Sequence, residues 1–262
     1  MIATIRAELV KLLRRRVLVT TAVTTAVFSV ASAAIVLISA DAGVRRVSGR
    51  GVTVESLSNA GGGTNVFTTA VSFAGVFVFV VFIGLFAMVF SRGTFRTMLM
   101  YQPRRIRLLA GKLTALLAFS AAVLAAAELI TWVAARIVAP TQDVATGSWV
   151  SADALGQAIS DYGSVLFWVS GYALLGTAIA VVVRSVPLSL AIGIAWAGPF
   201  EHIVQDAWGA ATRFFPGLLL EAFVAGGTSD VSAERALVTV AVYLAIAAAI
   251  AGTTFARRDV TA

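Results

Sequence analysis

Few residues in this sequence could carry out chemistry, and they exclude most kinds of catalytic and metal site. The chain has no cysteine, so disulfides and thiolate metal ligands are impossible. Its one histidine, His202, leaves no room for a histidine-based metal cluster. Nucleophilic catalysis needs a base beside an activated serine or threonine, and no glycine-flanked elbow serine stands out. We therefore expect no catalytic residue, no metal ligand and no enzymatic activity on this chain.

Two glycine motifs are candidates for phosphate binding, and neither fits. Gly111-Lys112 has no upstream glycine at the required offset, is followed by Leu113 and opens an apolar stretch. The triplet Gly61-Gly62-Gly63 lacks a following lysine, which favours a flexible linker. We therefore expect no nucleotide or other cofactor on this chain.

The composition is that of a membrane protein. Apolar residues make up 59% of the chain and charged residues 13%, and the mean hydropathy is +0.93. A soluble domain is nearer about 45–50% apolar and about 25% charged. Because so little charge cannot cover a water-facing surface, most of the outside must face lipid.

Six apolar stretches predict an all-α polytopic fold with six transmembrane helices. A helix needs about 20 apolar residues to cross a bilayer, and each stretch except the fifth is long enough. The stretches are 17–40, 66–90, 113–138, 162–183, one that begins after Pro187, and 236–255. The fifth is shorter and is broken at Gly198-Pro199.

The distribution of Lys and Arg predicts that both termini are cytoplasmic. With the N-terminus inside, the inner segments are 1–16, 91–112, 184–187 and 256–262, and they hold most of the 20 basic residues. The other side and the outer helix ends hold only Arg45, Arg46, Arg50, Arg136, Arg213 and Arg235. We therefore expect a multi-pass protein of the cell (inner or plasma) membrane.

Residues 1–16 predict an interfacial helix that precedes the transmembrane domain of residues 17–262. Apolar side chains recur there at helical spacing, namely Ile2, Ile5, Leu9, Leu12 and Leu13. Four cations fall largely elsewhere around the helix, where they would face anionic headgroups: Arg6, Lys11, Arg14 and Arg15. The same cations could instead only set the topology, and both roles are compatible.

Ionisable residues at or near membrane depth are functional candidates because charge is costly there. They are Glu128, Glu201 and His202. Either they reach headgroups or water at outer helix ends, or Glu201 and His202 line an outer gate. The following segment, about 203–234, is too apolar for a solvated loop and too interrupted for a full crossing. We expect re-entrant or interfacial helices there.

The predicted cytoplasmic loop 91–112 carries the most information. It contains six basic residues and no acid, and Pro103 ends any helix that begins near Thr94, a plausible N-cap. A short helix over 95–101 would expose Phe95, Met98, Leu99, Met100 and Tyr101 beside the arginines. Such a surface suits either a docked soluble protein or the lipid interface.

This loop resembles the loop after the second span of type-2 ABC exporter permeases, especially the actinobacterial kind. The resemblance lies in Arg92-Gly93-Thr94-Phe95-Arg96, Gln102-Pro103-Arg104-Arg105 and Ala110-Gly111-Lys112. Two further segments, Ala7-Glu8-Leu9-Val10-Lys11-Leu12 and Phe255-Ala256-Arg257-Arg258-Asp259, resemble the ends of such permeases. The three segments sit at the right places in a six-span chain of the right length, so the resemblance extends over essentially the whole chain. The family commonly has a Glu just before Gly-Thr, and this chain has Phe90, Ser91 and Arg92 there.

The resemblance implies a transmembrane permease subunit that rests on separate ATP-binding subunits, which would bind the ATP and Mg²⁺. Two copies of the ATP-binding subunit are expected, with a second permease chain that is either identical or different. No nucleic acid is expected as a partner. Docking to the ATPase would use Arg92, Thr94, Phe95, Arg96, Leu99, Tyr101, Arg104 and Arg105. Cargo would pass between the two permeases, mainly along the second and fifth spans.

The second span is rich in phenylalanine, which favours an amphipathic or lipid-like cargo such as a drug, peptide or lipid. Its rings are Phe67, Phe73, Phe77, Phe79, Phe82, Phe86 and Phe90. Phe73 and Phe77 share a helix face and are the preferred pair for the path. The alternative is that these rings face lipid or pack in the core.

Two other functions fit the same sequence. A membrane sensor or immunity subunit would bind cargo without moving it. An ion-coupled secondary transporter would need paired broken helices and ions within the membrane, and only one break is visible here.

Overall fold

The computed structural model describes residues 1–41, 53–91, 99–100, 104–196 and 200–257. These ranges are predominantly helical, and they contain no β-strand. Their α-helices are α1 Ile2–Leu12, α2 Arg15–Asp41, α3 Val54–Ser58, α4 Gly62–Ser91, α5 Arg105–Val138, α6 Ala152–Val183, α7 Val186–Ala195, α8 Glu201–Ala207, α9 Pro216–Val224 and α10 Ala233–Arg257. Short 3₁₀ helices lie at Ala139–Gln142, Gly147–Val150 and Gly209–Arg213.

Five helices of the described ranges are long and apolar enough to cross a membrane. They are α2, the Ala74–Ser91 part of α4, α5 with the 3₁₀ turn after it, α6 and α10. They confirm the expectation of an all-α membrane protein with several spans. In the predicted fifth span, the described residues form the ten-residue helix α7, and Pro199 lies outside the described residues. At 1.5 Å per residue α7 is about 15 Å long, roughly half the hydrocarbon thickness, so α7 by itself does not cross.

Two long helices begin well before the apolar stretches that predicted them. α5 begins at Arg105 rather than near Leu113, and α6 begins at Ala152 rather than near Tyr162. A helix satisfies its own backbone hydrogen bonds in water as well as in lipid. Hydropathy therefore marks the part of a helix that matches the bilayer, and the helix continues past it.

The chain forms two compact units, and the first consists of residues 1–11, 74–118 and 167–262. Its core includes Phe79, Phe82 and Phe86 of α4 with Trp168 and Tyr172 of α6. Small residues let its helices approach closely. A Cβ on Gly176 of α6 would lie 3.2 Å from the Phe79 backbone oxygen. Such glycine contacts are the usual means of close helix packing in membranes.

The second unit consists of residues 12–73 and 119–166. Its core joins α2, α3, the start of α4 and the end of α5, with Leu37, Leu57, Val66 and Ala135 fully buried. The triplet Gly61-Gly62-Gly63 packs tightly here at the start of α4, so the flexible-linker interpretation is wrong. A Cβ on Gly63 would lie 2.7 Å from Trp132 and 3.0 Å from Trp149. The glycines are needed because two indoles occupy that space.

The segment after the predicted fifth span is built from short helical pieces. They are α8, the 3₁₀ helix Gly209–Arg213 and α9. The run Leu218-Leu219-Leu220 of α9 is buried, and α9 packs against α10. These interrupted helices agree with the helical structure predicted for 203–234.

Candidate functional site

The N-terminal helix α1 packs against the first turns of α5. The contact depends on Gly111, where a Cβ would lie 3.1 Å from Thr4 Cβ and 3.4 Å from the Met1 carbonyl oxygen. A larger residue there would crowd Thr4 of α1. The last part of the predicted docking loop, residues 105–112, therefore lies in a helix with α1 packed on its surface.

A buried ion pair fastens the same contact. The Glu8 carboxylate accepts hydrogen bonds from Lys11 Nζ at 2.8 Å and from Lys112 Nζ at 3.4 Å. Glu8 and Lys112 are each only 6% exposed. The Lys112 ammonium also lies 5.5 Å from the centroid of the Phe86 ring, within cation–π range. One carboxylate thus ties α1 to α5, which continues from the loop.

The Glu8–Lys112 pair was not predicted, although the sequence carries a signal for it. Glu8 is the only acid among the five basic residues of 1–16, and Lys112 begins an apolar stretch. A lone charge of each sign beside apolar residues indicates a buried pair, because an unpaired buried charge is very costly. The sequence gives no reason to pair Glu8 with Lys112, which lies 104 positions further along the chain.

The pKa of Glu8 reflects this environment. Burial alone raises the pKa of the carboxyl, but the hydrogen bond from Lys11 and the charges of Lys112 and Lys11 outweigh burial. The net result is a pKa below the usual value. Glu8 is therefore ionised at neutral pH.

The four predicted headgroup cations Arg6, Lys11, Arg14 and Arg15 are all exposed. Arg15 begins α2, and Arg14 lies in the turn before it. Lys11 has a second role, because it also pairs with Glu8. The predicted apolar face divides: Ile5, Leu9 and Leu12 are half-buried, whereas Ile2 and Leu13 are exposed. Contact of these cations with headgroups stays a prediction.

Most of the predicted ATPase-docking residues lie outside the described ranges. These are Arg92, Thr94, Phe95, Arg96 and Tyr101. Leu99 is helical and half-buried, and its neighbour Met100 is 77% exposed. Arg104 is exposed and Arg105 is half-buried at the start of α5. Ile106 and Arg107 are exposed as well, so the described part of the loop presents two large apolar side chains and two arginines to solvent.

The phenylalanines of α4 serve mainly as core. Four of them are buried, namely Phe67, Phe79, Phe82 and Phe86. This agrees with the alternative interpretation that the rings pack in the core. Phe77 is different, because 69% of its surface is exposed. The side chain of Phe73 lies outside the described residues. Phe77 thus remains available to face lipid, cargo or another chain.

Glu201 is buried, being only 1% exposed, so it does not reach water. Its carboxylate accepts backbone hydrogen bonds from Leu218 N at 2.9 Å and Gly217 N at 3.3 Å, and the Trp196 side chain also bonds to it. These two N–H groups lie at the start of α9, where a helix has unsatisfied donors and a positive dipole end. Glu201 therefore joins the start of α8 to the start of α9.

His202 lies beside Glu201 in α8 and has a different environment. Its Nε2 is 3.4 Å from Glu221 Oε2, and its side chain is 44% exposed. Glu201 is buried against α9 and His202 is partly exposed beside Glu221, so the two predicted gate residues have different environments. Their role at an outer gate stays a prediction.

The sequence matches no family model and no curated protein. The resemblance to type-2 permeases therefore rests on its three sequence segments, and the site rests on its own geometry.

Proposed function

We propose that this chain is the permease subunit of an ATP-driven type-2 ABC exporter. It would form half of the translocation path and couple to a separate ATP-binding subunit through the cytoplasmic loop 91–112. ATP and Mg²⁺ would bind that partner. The protein would lie in the cell membrane with both termini in the cytoplasm, paired with a second permease chain.

The observation that carries the proposal is the fixed junction at the end of the loop. A loop that transmits movement of an ATPase must not absorb that movement itself. Residues 105–112 belong to a 34-residue helix, and Gly111 and Lys112 hold α1 against it. A displacement applied near Arg104 would be carried along α5 and into α1, because packed helices move as rigid bodies.

The Glu201 contacts support a broken fifth span followed by re-entrant helices. Together α7, α8 and α9 would make up these elements. Irregular backbone at membrane depth persists only where protein groups satisfy its donors and acceptors. The Glu201 carboxylate does this for the start of α9. We therefore propose six spans, the fifth interrupted between α7 and α8.

An apolar cavity in the first unit supports an amphipathic or lipid-like cargo. Its volume is about 410 Å³, and its wall includes Phe79, Tyr172, Ile192 and Ile250. Glu201 is the only ionisable carboxylate in that described wall, and it is engaged by α9. Such a wall suits hydrocarbon rather than sugar, whose hydroxyls would find few partners.

Co-purification tests the docking surface. The double change Arg96→Ala with Phe95→Ala should abolish recovery of an ATP-binding subunit from native membranes, while the permease still inserts. The matched control is Arg213→Ala with Phe214→Ala, a cation and ring on the predicted outer side, which should leave recovery unchanged. Full recovery and nucleotide-dependent cargo movement with the 95/96 double variant would contradict the proposal.

A further inference from the structure

The second unit contains a cavity of about 600 Å³ that the exporter mechanism does not use. This volume lies within the ~300–1,000 Å³ typical of small-molecule sites. The wall comes from the start of α4, the second half of α5, and residues 149–158 at and before the start of α6. It is mostly apolar, with Trp132 and Trp149 as its aromatic members and Glu128 as the one ionisable side chain in its described wall.

The aromatic part of this wall is held in place before any ligand arrives. Trp149 is 3% exposed, and its indole N–H donates to the Leu57 carbonyl oxygen at 2.8 Å. Gly63 packs against both indoles, since a Cβ added there would lie 2.7 Å from Trp132 and 3.0 Å from Trp149. A preformed wall lowers the entropic cost of binding.

The carboxylate of Glu128 has one oxygen without a hydrogen-bond donor among the described residues. This oxygen, Oε1, is buried. The neighbouring carboxylate, Asp161, interacts with it electrostatically and accepts a hydrogen bond from Gln157 Nε2 at 2.9 Å. The cation nearest to Glu128 along the sequence of α5 is Arg136, whose guanidinium lies over the Trp132 ring at 5.4 Å and is not part of the cavity wall. A buried carboxylate oxygen without a donor is costly, and a cation in the cavity would remove that cost.

The chemistry of the wall selects the class of cation. Calcium takes six to eight oxygen ligands and magnesium needs an octahedral oxygen shell, and this wall offers a single carboxylate among apolar groups. An anion would meet Glu128. A large organic cation fits both features of the wall, because its charge pairs with the carboxylate and its hydrocarbon contacts the apolar side chains of the wall.

We infer that this cavity is a binding site for a lipophilic organic cation, with Glu128 as the counter-ion and Trp132 and Trp149 as the apolar wall. The inference is independent of the proposed exporter function, because binding needs no ATPase and is measured on the permease alone.

Equilibrium binding of tritiated tetraphenylphosphonium to the full chain in lipid nanodiscs tests the site. We expect saturable binding to the natural protein, weakened by about tenfold or more in Glu128→Gln, as loss of one buried charge pair requires. Glu55→Gln removes an exposed carboxylate from the same unit and should bind as the natural protein does. Tetraphenylborate has the same shape with the opposite charge and should not compete.

A second variant separates loss of the site from loss of the fold. Ala158→Phe fills the cavity without changing any charge and should also abolish saturable binding, while size-exclusion profile and helicity stay natural. The inference is overturned if the natural protein shows no saturable binding of tetraphenylphosphonium. It is equally overturned if a folded Glu128→Gln or Ala158→Phe variant binds it unchanged, or if tetraphenylborate competes for the same site.

Discussion

The Lys112 ammonium lies 3.4 Å from the Glu8 carboxylate, and both side chains are only 8% exposed. Glu8 belongs to the N-terminal helix, and Lys112 lies two turns into the helix that follows the predicted docking loop. A buried pair of this kind is strongly destabilising to break, because the remaining partner keeps its charge without compensation. The pair therefore fixes the position of α1 on α5.

Removing the Glu8 charge should loosen this junction. Glu8→Gln leaves Lys112 buried without its counter-ion, and we expect a loss of about 3 kcal/mol in the free energy of unfolding. Lys11 is the other partner of Glu8, and the Lys11 side chain is 48% exposed. Lys11→Gln should therefore lower the free energy of unfolding by less than about 1 kcal/mol. Thermal or denaturant unfolding in one detergent measures both. Equal losses of unfolding free energy in the two variants would show that the buried Glu8–Lys112 pair stabilises the fold no more than the exposed Glu8–Lys11 pair.

The same junction should weaken in acid. The folded-state pKa of Glu8 is lowered, so its contribution is fully present above the ordinary value of 4.5 and is lost as the pH falls through the folded value. The difference in melting temperature between the natural protein and Glu8→Gln should be constant from pH 8 to about pH 5 and shrink below about pH 4.5. A difference that grows in acid would contradict the ionised pair.

The contact between Glu201 and α9 predicts an effect at a glycine. At Gly217 a Cβ would meet the Glu201 carboxylate and would lie 2.9 Å from the Tyr172 hydroxyl oxygen. Gly217→Ala should therefore displace the Glu201 carboxylate from the backbone N–H groups of residues 217 and 218. We expect the free energy of unfolding to fall by about 1–3 kcal/mol. Gly209→Ala is the matched control, because a Cβ there meets nothing within 4 Å. Comparable stability of the two variants, measured by unfolding, would show that this contact is not tight.

The glycine triplet predicts a second pair of variants. Gly63→Ala places a methyl group against Trp132 and Trp149 and should destabilise the second unit by about 1–3 kcal/mol. Gly156→Ala, in the helix α6 with open space around it, should be neutral or stabilise by about 0.5–1 kcal/mol. Tryptophan fluorescence during unfolding reports both, since two indoles line the contact. A neutral Gly63→Ala would restore the linker interpretation.

Hydropathy alone predicts the membrane-spanning helices α2, α4, α5, α6 and α10, because lipid imposes one length and one composition on any helix that crosses it. It does not predict the ends of α5 and α6, which continue into polar sequence. Hydropathy also does not predict contacts between residues that are distant in the sequence. Glu8 and Lys112 pair across 104 positions, and the packing of Gly63 depends on where two tryptophans fall in the folded chain.

Glu201 shows the same limit at the candidate site. Its position after Pro199 indicates a carboxylate near the outer boundary, where water is the expected partner. The structure instead satisfies it with the backbone of residues 217 and 218. Local sequence identifies a charge that needs a partner, and only the folded chain determines which partner it has.

We propose above all that the loop 91–112 lies in the cytoplasm and contacts an ATP-binding subunit. Because the chain has no cysteine, a single Met100→Cys variant gives one reactive site, and Met100 is 77% exposed. In native membranes this cysteine should react with an impermeant maleimide only in inside-out vesicles and should cross-link to an ATP-binding subunit. Phe214→Cys, at a side chain 53% exposed, should react only in right-side-out vesicles. Labelling of Met100→Cys from outside, or the absence of any cross-link to an ATP-binding protein, would contradict the account.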